Sequence, residues 1–160
     1  MKSRKWIVPA LSLSLLFPAA SGFAAETTAD QNPELETKVI QFTIGSDRYM
    51  VNGLSETVDT EATVYNNVAY IPLRDLADSM DGATVSYDAA TGTTWLDTGL
   101  ARYEFWDNSS RYRVDNMEMR ADAPILSRDG HVLIPASWVA DTLDWTLVYE
   151  NGLVTLYKRY

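Results

Sequence analysis

The chain of 160 residues contains no cysteine and a single histidine, His131. Without cysteine there is no disulfide, no thiolate metal site and no thioether through which a lipid could be attached. A transition-metal site built from imidazoles needs several of them, and one histidine cannot supply the set. A serine–histidine–acid mechanism would have to pass through His131, and no Gly-x-Ser-x-Gly elbow accompanies it. A phosphate-cradling glycine loop is also missing, since Ile44-Gly45-Ser46 and Asp81-Gly82 are isolated turns. The run Asp78-Ser79-Met80-Asp81-Gly82 lacks the alternating oxygen ligands and closing glutamate of a calcium loop. Bases are scarce: 13 Lys and Arg stand against 22 Asp and Glu, a formal net charge of −9. A surface of that sign repels nucleic acid and anionic lipid headgroups.

Long apolar runs are scarce as well. Trp6 to Pro18 is broken by Ser12 and Ser14 and is too short for a spanning helix. Lys2, Arg4 and Lys5 precede it, and the small residues Ala19 to Ala25, with Phe23 among them, follow. That order predicts a secretory signal peptide over 1–25. Gly22-x-Ala24 fits the small-x-small cleavage rule best, with cleavage after Ala25 as its near rival. Loss of the three bases takes the formal charge from −9 to −12. Residues 26–38, beginning ETTADQNPELET, are polar and acidic, and their composition predicts a flexible lead-in. The remainder, 39–160, has the size of one domain, large enough to bury a core without disulfides.

What is present is a repeat. Val68 to Met80 (VAYIPLRDLADSM) returns as His131 to Leu143 (HVLIPASWVADTL), 63 positions later. The same shift lays Tyr49-Met50-Val51-Asn52-Gly53 over Tyr112-Arg113-Val114-Asp115-Asn116, and Asp59 over Asp122. With one residue and then two dropped from the second copy, Val85-Ser86-Tyr87-Asp88 meets Leu147-Val148-Tyr149-Glu150. Gly92 to Leu96 then meets Gly152 to Leu156. Two copies, 39–97 and 99–158, make up the domain, as expected of a unit that cannot bury its apolar face alone.

Each copy reads alike. Ile40, Phe42 and Ile44 alternate with polar residues, the period of a half-buried strand. Asn52-Gly53, Asn66-Asn67 and Asp129-Gly130 are hairpin signals. Pro72 and Pro135 end strands and suit helix starts. Leu73, Leu76, Ala77 and Met80, like Ala136, Val139, Ala140 and Leu143, lie at i, i+3, i+4 and i+7, one apolar helical face. Asp75 sits in the first helical turn, where its charge favours the dipole. Arg74 is placed to reach a nearby carboxylate or carbonyl, so Pro72, Arg74 and Pro135 form the expected structural corner. The fold class is α+β: two pseudo-symmetric β-β-α-β-β repeats forming a curved, mainly antiparallel sheet with two short packed helices.

Phe42-x-Ile44-Gly45, Tyr49-x-Val51-Asn52-Gly53, Tyr70-Ile71-Pro72-Leu73-Arg74-x-Leu76-Ala77 and Val85-Ser86-Tyr87-Asp88 carry a resemblance to a family. They resemble the copper amine oxidase N-terminal-like domain, or stalk domain, frequent in exported proteins of Gram-positive bacteria. The resemblance spans about Val39 to Tyr157. The second half departs at Ala136-Ser137, where the first has Leu73-Arg74, and at Asp115-Asn116. In the related oxidases, copper and the modified tyrosine cofactor belong to a separate catalytic domain. The resemblance therefore implies an accessory, wall-associated or interaction role, with no cofactor and no amine oxidation.

Two features remain for function. With 22 acids, pairs at glycosidase spacing arise by number alone, while the in-register Asp59 and Asp122 read as turn residues. Trp95 lies on the outward side of its strand, over Thr155, and Tyr65 stands beside a hairpin tip, over Arg128. Trp106 follows Tyr103 and Phe105, which are expected to point inward. Asn108-Ser109-Ser110 matches a glycosylation sequon and reads here as a hairpin turn. Tyr65, Trp95 and Trp106 are the candidate ligand-binding residues, since exposed rings stack on sugars or anchor protein interfaces. The reading is a non-catalytic, secreted, cell-wall-associated binding or scaffolding module. Its expected partner is a wall glycan or an extracellular protein; nucleic acid and stable membrane insertion after cleavage are not expected. The alternatives are a self-associating structural stalk and a small hydrolase of wall polysaccharide.

Overall fold

Each half-hairpin of this chain is set by a turn that only certain residues tolerate. The computed structural model describes residues 36–160. The signal-peptide segment and most of the lead-in lie outside the described residues. Asn52 and Gly53 have φ of 50° and 82°, and Asp115 and Asn116, their counterparts, have 45° and 76°. Both pairs make the same primed turn, which matches the right-handed twist of the strands it joins. The second half thus keeps the turn although it has lost the glycine.

The first half comprises β1 (Thr37–Thr43), β2 (Arg48–Val51), β3 (Leu54–Thr57), β4 (Thr63–Tyr65), β5 (Val68–Pro72), α1 (Leu73–Asp78), β6 (Thr84–Asp88) and β7 (Thr93–Asp97). The second half repeats it as β8 (Arg102–Trp106), β9 (Arg111–Val114), β10 (Met117–Arg120), β11 (Leu126–Arg128), β12 (His131–Pro135), α2 (Ala136–Leu143), β13 (Thr146–Glu150) and β14 (Leu153–Arg159). The antiparallel strands, the two short helices and the doubling are as the sequence predicts. Each half has more strands than β-β-α-β-β, however. β3 (LSET) is exposed at every residue and β4 (TVY) mostly so, so neither carries an apolar alternation to announce it. β1 also begins at Thr37, inside the segment read as lead-in, because Thr37 and Lys38 pair with Arg159 and Lys158.

The strands form three sheets, in the orders β13-β14-β1-β2-β3, β10-β9-β8-β7-β6 and β11-β12-β5-β4. The halves interlock. β1 pairs with β14 and β7 with β8, so each five-stranded sheet takes three strands from one half and two from the other. In the four-stranded sheet, β5 pairs antiparallel with β12, placing Ile71 opposite Ile134, its own counterpart. The pseudo-twofold axis passes between those two residues.

Pro72 and Pro135 (φ −64° and −59°) stand at the N-caps of the helices, where the missing N–H costs nothing. The helices lean their apolar faces on the sheets, and Leu73, Leu76, Ala136 and Val139 are buried in one cluster with Ile40, Phe42, Leu96, Phe105 and Leu156. A second cluster joins Tyr70, Ala123 and Leu133, and the Tyr70 hydroxyl donates to the Pro124 carbonyl at 3.0 Å. Among the interior positions at which the halves differ, one exchanges an aromatic ring for a carboxylate. Trp138 packs edge-on against Tyr103, Phe105 and Tyr112, at centroid distances of 5.3, 5.1 and 5.6 Å. Its counterpart in α1, 63 positions earlier, is Asp75. There Phe42 and Tyr49, with no indole against them, stack on each other at 5.1 Å.

Candidate binding surface

Strand alternation puts Leu96, Tyr103, Phe105 and Tyr112 into the core, and their neighbours on β7, β8 and β9 onto the opposite face. Register then fixes a row across the whole sheet: Ser86, Trp95, Glu104, Arg113 and Glu118 stand side by side on β6, β7, β8, β9 and β10. Trp106 lies two residues along β8 from Glu104, on the same face, as does Arg102 on the other side.

The side chains of this face are tied together. Arg113 donates to the Glu104 carboxylate at 2.7 Å. Its guanidinium carbon also lies 5.3 Å from the centroid of the Trp106 ring, while that of Arg102 lies 5.4 Å from Trp95. Both distances are within cation–π range. At the next pair outward, Arg111 and Glu118 approach at 3.5 Å with both side chains largely exposed, an ion pair worth little in water. Trp95, Arg102, Glu104, Arg113, Asp115 and Asn116 line a shallow concavity of about 340 Å³.

The pseudo-symmetric sheet provides an internal control. Its matching row reads Val148, Thr155, Gln41, Met50 and Ser55. Gln41 Nε2 donates to the Thr155 hydroxyl at 3.3 Å, and no charge is present. The same backbone positions are therefore filled by Thr, Gln and Met in one half and by Trp, Glu and Arg in the other. The scaffold needs none of the latter three.

Of the residues singled out by sequence, Trp95 and Trp106 come together on this face, both half-buried. Tyr65 does not join them: it is 51% exposed on β4, an outer strand of the four-stranded sheet. Arg102, Glu104 and Arg113 escape a search for exposed rings. Their signal is in the repeat register, where Glu104 and Arg113 lie over Gln41 and Met50. At the corner, Pro72 and Pro135 are buried. Arg74 is a correction: it is exposed and forms no ion pair or side-chain hydrogen bond among the described residues. The burial of the two prolines and the Ile71–Ile134 pairing hold the corner without it.

His131 opens β12 and shares a cavity of about 30 Å³ with Asp59, Arg74, Asp75 and Thr94. That is room for one or two water molecules and for no substrate. Among the described residues no three His, Cys, Asp or Glu side chains gather as a metal-ligand set. With one imidazole and no such gathering, the residues present do not fit the copper site of an oxidase catalytic domain. No helix among the described residues is long and apolar enough to cross a membrane.

Fold and surface together define a class: a doubled antiparallel module whose distinctive side chains lie on an open sheet face. The sequence matches the copper amine oxidase N-terminal domain twice, over residues 26–96 and 64–157, and the chain belongs to that family. In amine oxidases this domain by itself is a non-catalytic module, and membership points to a non-catalytic stalk module here. Comparison with curated proteins and with solved structures gives no match.

Proposed function

We propose that this protein is an exported, cell-wall-associated recognition module of a Gram-positive bacterium. It presents the outer face of the β10-β9-β8-β7-β6 sheet to a wall glycan or an extracellular protein. The observation that carries the reading is the contrast between equivalent rows, Trp95-Glu104-Arg113 against Thr155-Gln41-Met50. A position the fold can fill with threonine or methionine holds tryptophan and arginine, the residues that dominate binding hot spots. Recognition needs no moving part, since the sheet holds the rings at fixed spacing and Glu104 fixes Arg113. Because each indole already carries a guanidinium, the surface suits a protein partner better than a bare sugar ring.

Sedimentation with purified walls, before and after protease stripping, tests this. Retention is expected to fall about tenfold in Trp95→Ala and in Arg113→Ala, a loss usual for a hot-spot residue. Retention that survives protease assigns the target to glycan, and retention lost with protease assigns it to protein. Absence of retention by the unaltered chain, or retention indifferent to both substitutions, overturns the proposal.

A second reading, self-association, is favoured by the edges. β3 and β10 are exposed along their whole length, with Leu54, Met117 and Met119 among their side chains. Unpaired strand edges of that kind template pairing with another chain. Light scattering across a range of concentrations decides it, and a constant monomer mass removes it.

A further inference from the structure

The outer face of the β10-β9-β8-β7-β6 sheet holds one pair of groups twice, a guanidinium over an indole. Arg113 lies 5.3 Å from the centroid of Trp106, and Arg102 lies 5.4 Å from that of Trp95. A carboxylate completes the first pair, since Arg113 donates to Glu104 at 2.7 Å. The second pair has none: the Arg102 guanidinium forms no ion pair and no side-chain hydrogen bond among the described residues. The acids around it are turned to other donors. Asp97, opposite Arg102 on β7, accepts through Oδ1 from the Gly99 N–H at 2.8 Å. Asp115 Oδ1 accepts from the Arg102 backbone N–H at 3.2 Å, and Glu104 holds Arg113.

Nothing in the fold asks for the second pair. In the other half Val39 stands where Arg102 does and Thr155 where Trp95 does, and β1 and β14 pair there all the same. Arg102 is exposed and Trp95 half-buried, and with Asn116 they border the concavity of about 340 Å³. A guanidinium carries its N–H donors around its edge, so contact with a ring face leaves them free for two oxygens side by side. A carboxylate offers that arrangement. The charge at hand is also single, because Glu104 neutralises Arg113. One negative charge is matched, whereas a phosphate dianion would leave an excess on a chain whose formal charge is already −9.

We propose that Arg102, positioned by Trp95, is the receptor for an Asp or Glu carboxylate of a protein partner. Binding completes there the arrangement that Glu104 completes within the chain. The proposal rests on the reading of this face as a recognition surface and names the group that it recognises.

The test is NMR titration of the full chain at constant ionic strength, at about pH 6.5, where a glutamate side chain is ionised. The Trp95 indole N–H and the Arg102 Nε–H are followed. The probes are Nα-acetyl-glutamate amide, Nα-acetyl-glutamine amide, glucuronate and inorganic phosphate. The glutamate probe is expected to shift both signals and to approach saturation by about 50 mM, and the glutamine probe to shift neither. Arg102→Gln is expected to abolish the response. Arg102→Lys, which keeps the charge and loses the fork, should weaken it about threefold to tenfold. Glu104→Gln should make the Trp106 indole N–H respond to glutamate as well, because the completed pair is then opened. No response to glutamate by about 50 mM overturns the proposal. So does a response undiminished in Arg102→Gln, an equal response to glutamine, or a stronger one to phosphate. A stronger response to glucuronate overturns the choice of a protein as the carboxylate's source. Wall retention is a separate readout. Retention that needs Trp95 and Arg113 but is unchanged in Arg102→Gln keeps the recognition surface and removes the carboxylate receptor. A glutamate response without wall retention keeps the receptor and removes the wall as its target.

Discussion

Asp75 is a buried carboxyl with other acids close by. Burial first, and then the charge of Asp59, push its carboxyl up to about 6; hydrogen bonding from the Asp59 backbone pulls against them, and the Asp78 charge adds a smaller push. A carboxyl raised in this way stabilises the fold fully below its unfolded value, near 3.8, and that contribution is lost as pH rises through about 6. The neutral amide of Asp75→Asn has no such dependence. Urea denaturation should therefore find the variant more stable than the parent at pH 7.5, by about 2 kcal/mol, and nearly equal to it at pH 4. A constant difference across that range would mean that Asp75 titrates normally. From sequence alone, Asp75 reads as a dipole partner in the first turn of α1. That reading treats a helix as having one apolar face. Position 75, like Trp138, lies off the i, i+3, i+4 stripe and is buried all the same, because other parts of the fold cover it.

At the scale of elements, the turns and corners are legible and the pairings are not. Asn52-Gly53 and Pro72 announce their geometry because φ restricts the residues that fit. Asp115-Asn116 shows the same turn with a strained second position: Asn116 sits at φ 76°, where its counterpart Gly53 sits at 82°. Asn116→Gly should stabilise the β9–β10 hairpin by roughly 0.5–1 kcal/mol, read as a higher denaturation midpoint with unchanged slope. The outward row, by contrast, could only be half read. Alternation shows that Trp95 points outward, but its neighbours Glu104 and Arg113 follow from register, which no local pattern encodes. Tyr65 shows the limit of the same reasoning, since an exposed ring need not have company.

At the scale of the molecule, the interlocking of halves was hidden for a physical reason. β1 buries Ile40 and Phe42 whether it pairs within its own half or with β14, so hydrophobic pattern cannot choose between them. The structure chooses the second, and neither half can then complete its own sheets. The first half expressed alone, residues 36–98, should not exist as a folded monomer. Size exclusion and circular dichroism should find it either unfolded or as a dimer in which a second copy replaces the missing half. A folded monomer would mean that the exchange of strands is dispensable.

The pairing of β1 with β14 brings Thr37 opposite Arg159, and the Tyr160 N–H donates to the Glu36 carbonyl at 2.9 Å. A load applied through the two ends of the domain would peel these strands apart like a zipper, parting one rung at a time from the Thr37–Arg159 end. Such a seam yields to gentle tension, whereas strands pulled in shear resist together. A body built this way is suited to hang from its neighbours as a side branch and would open early if it were made a link in a stretched tether.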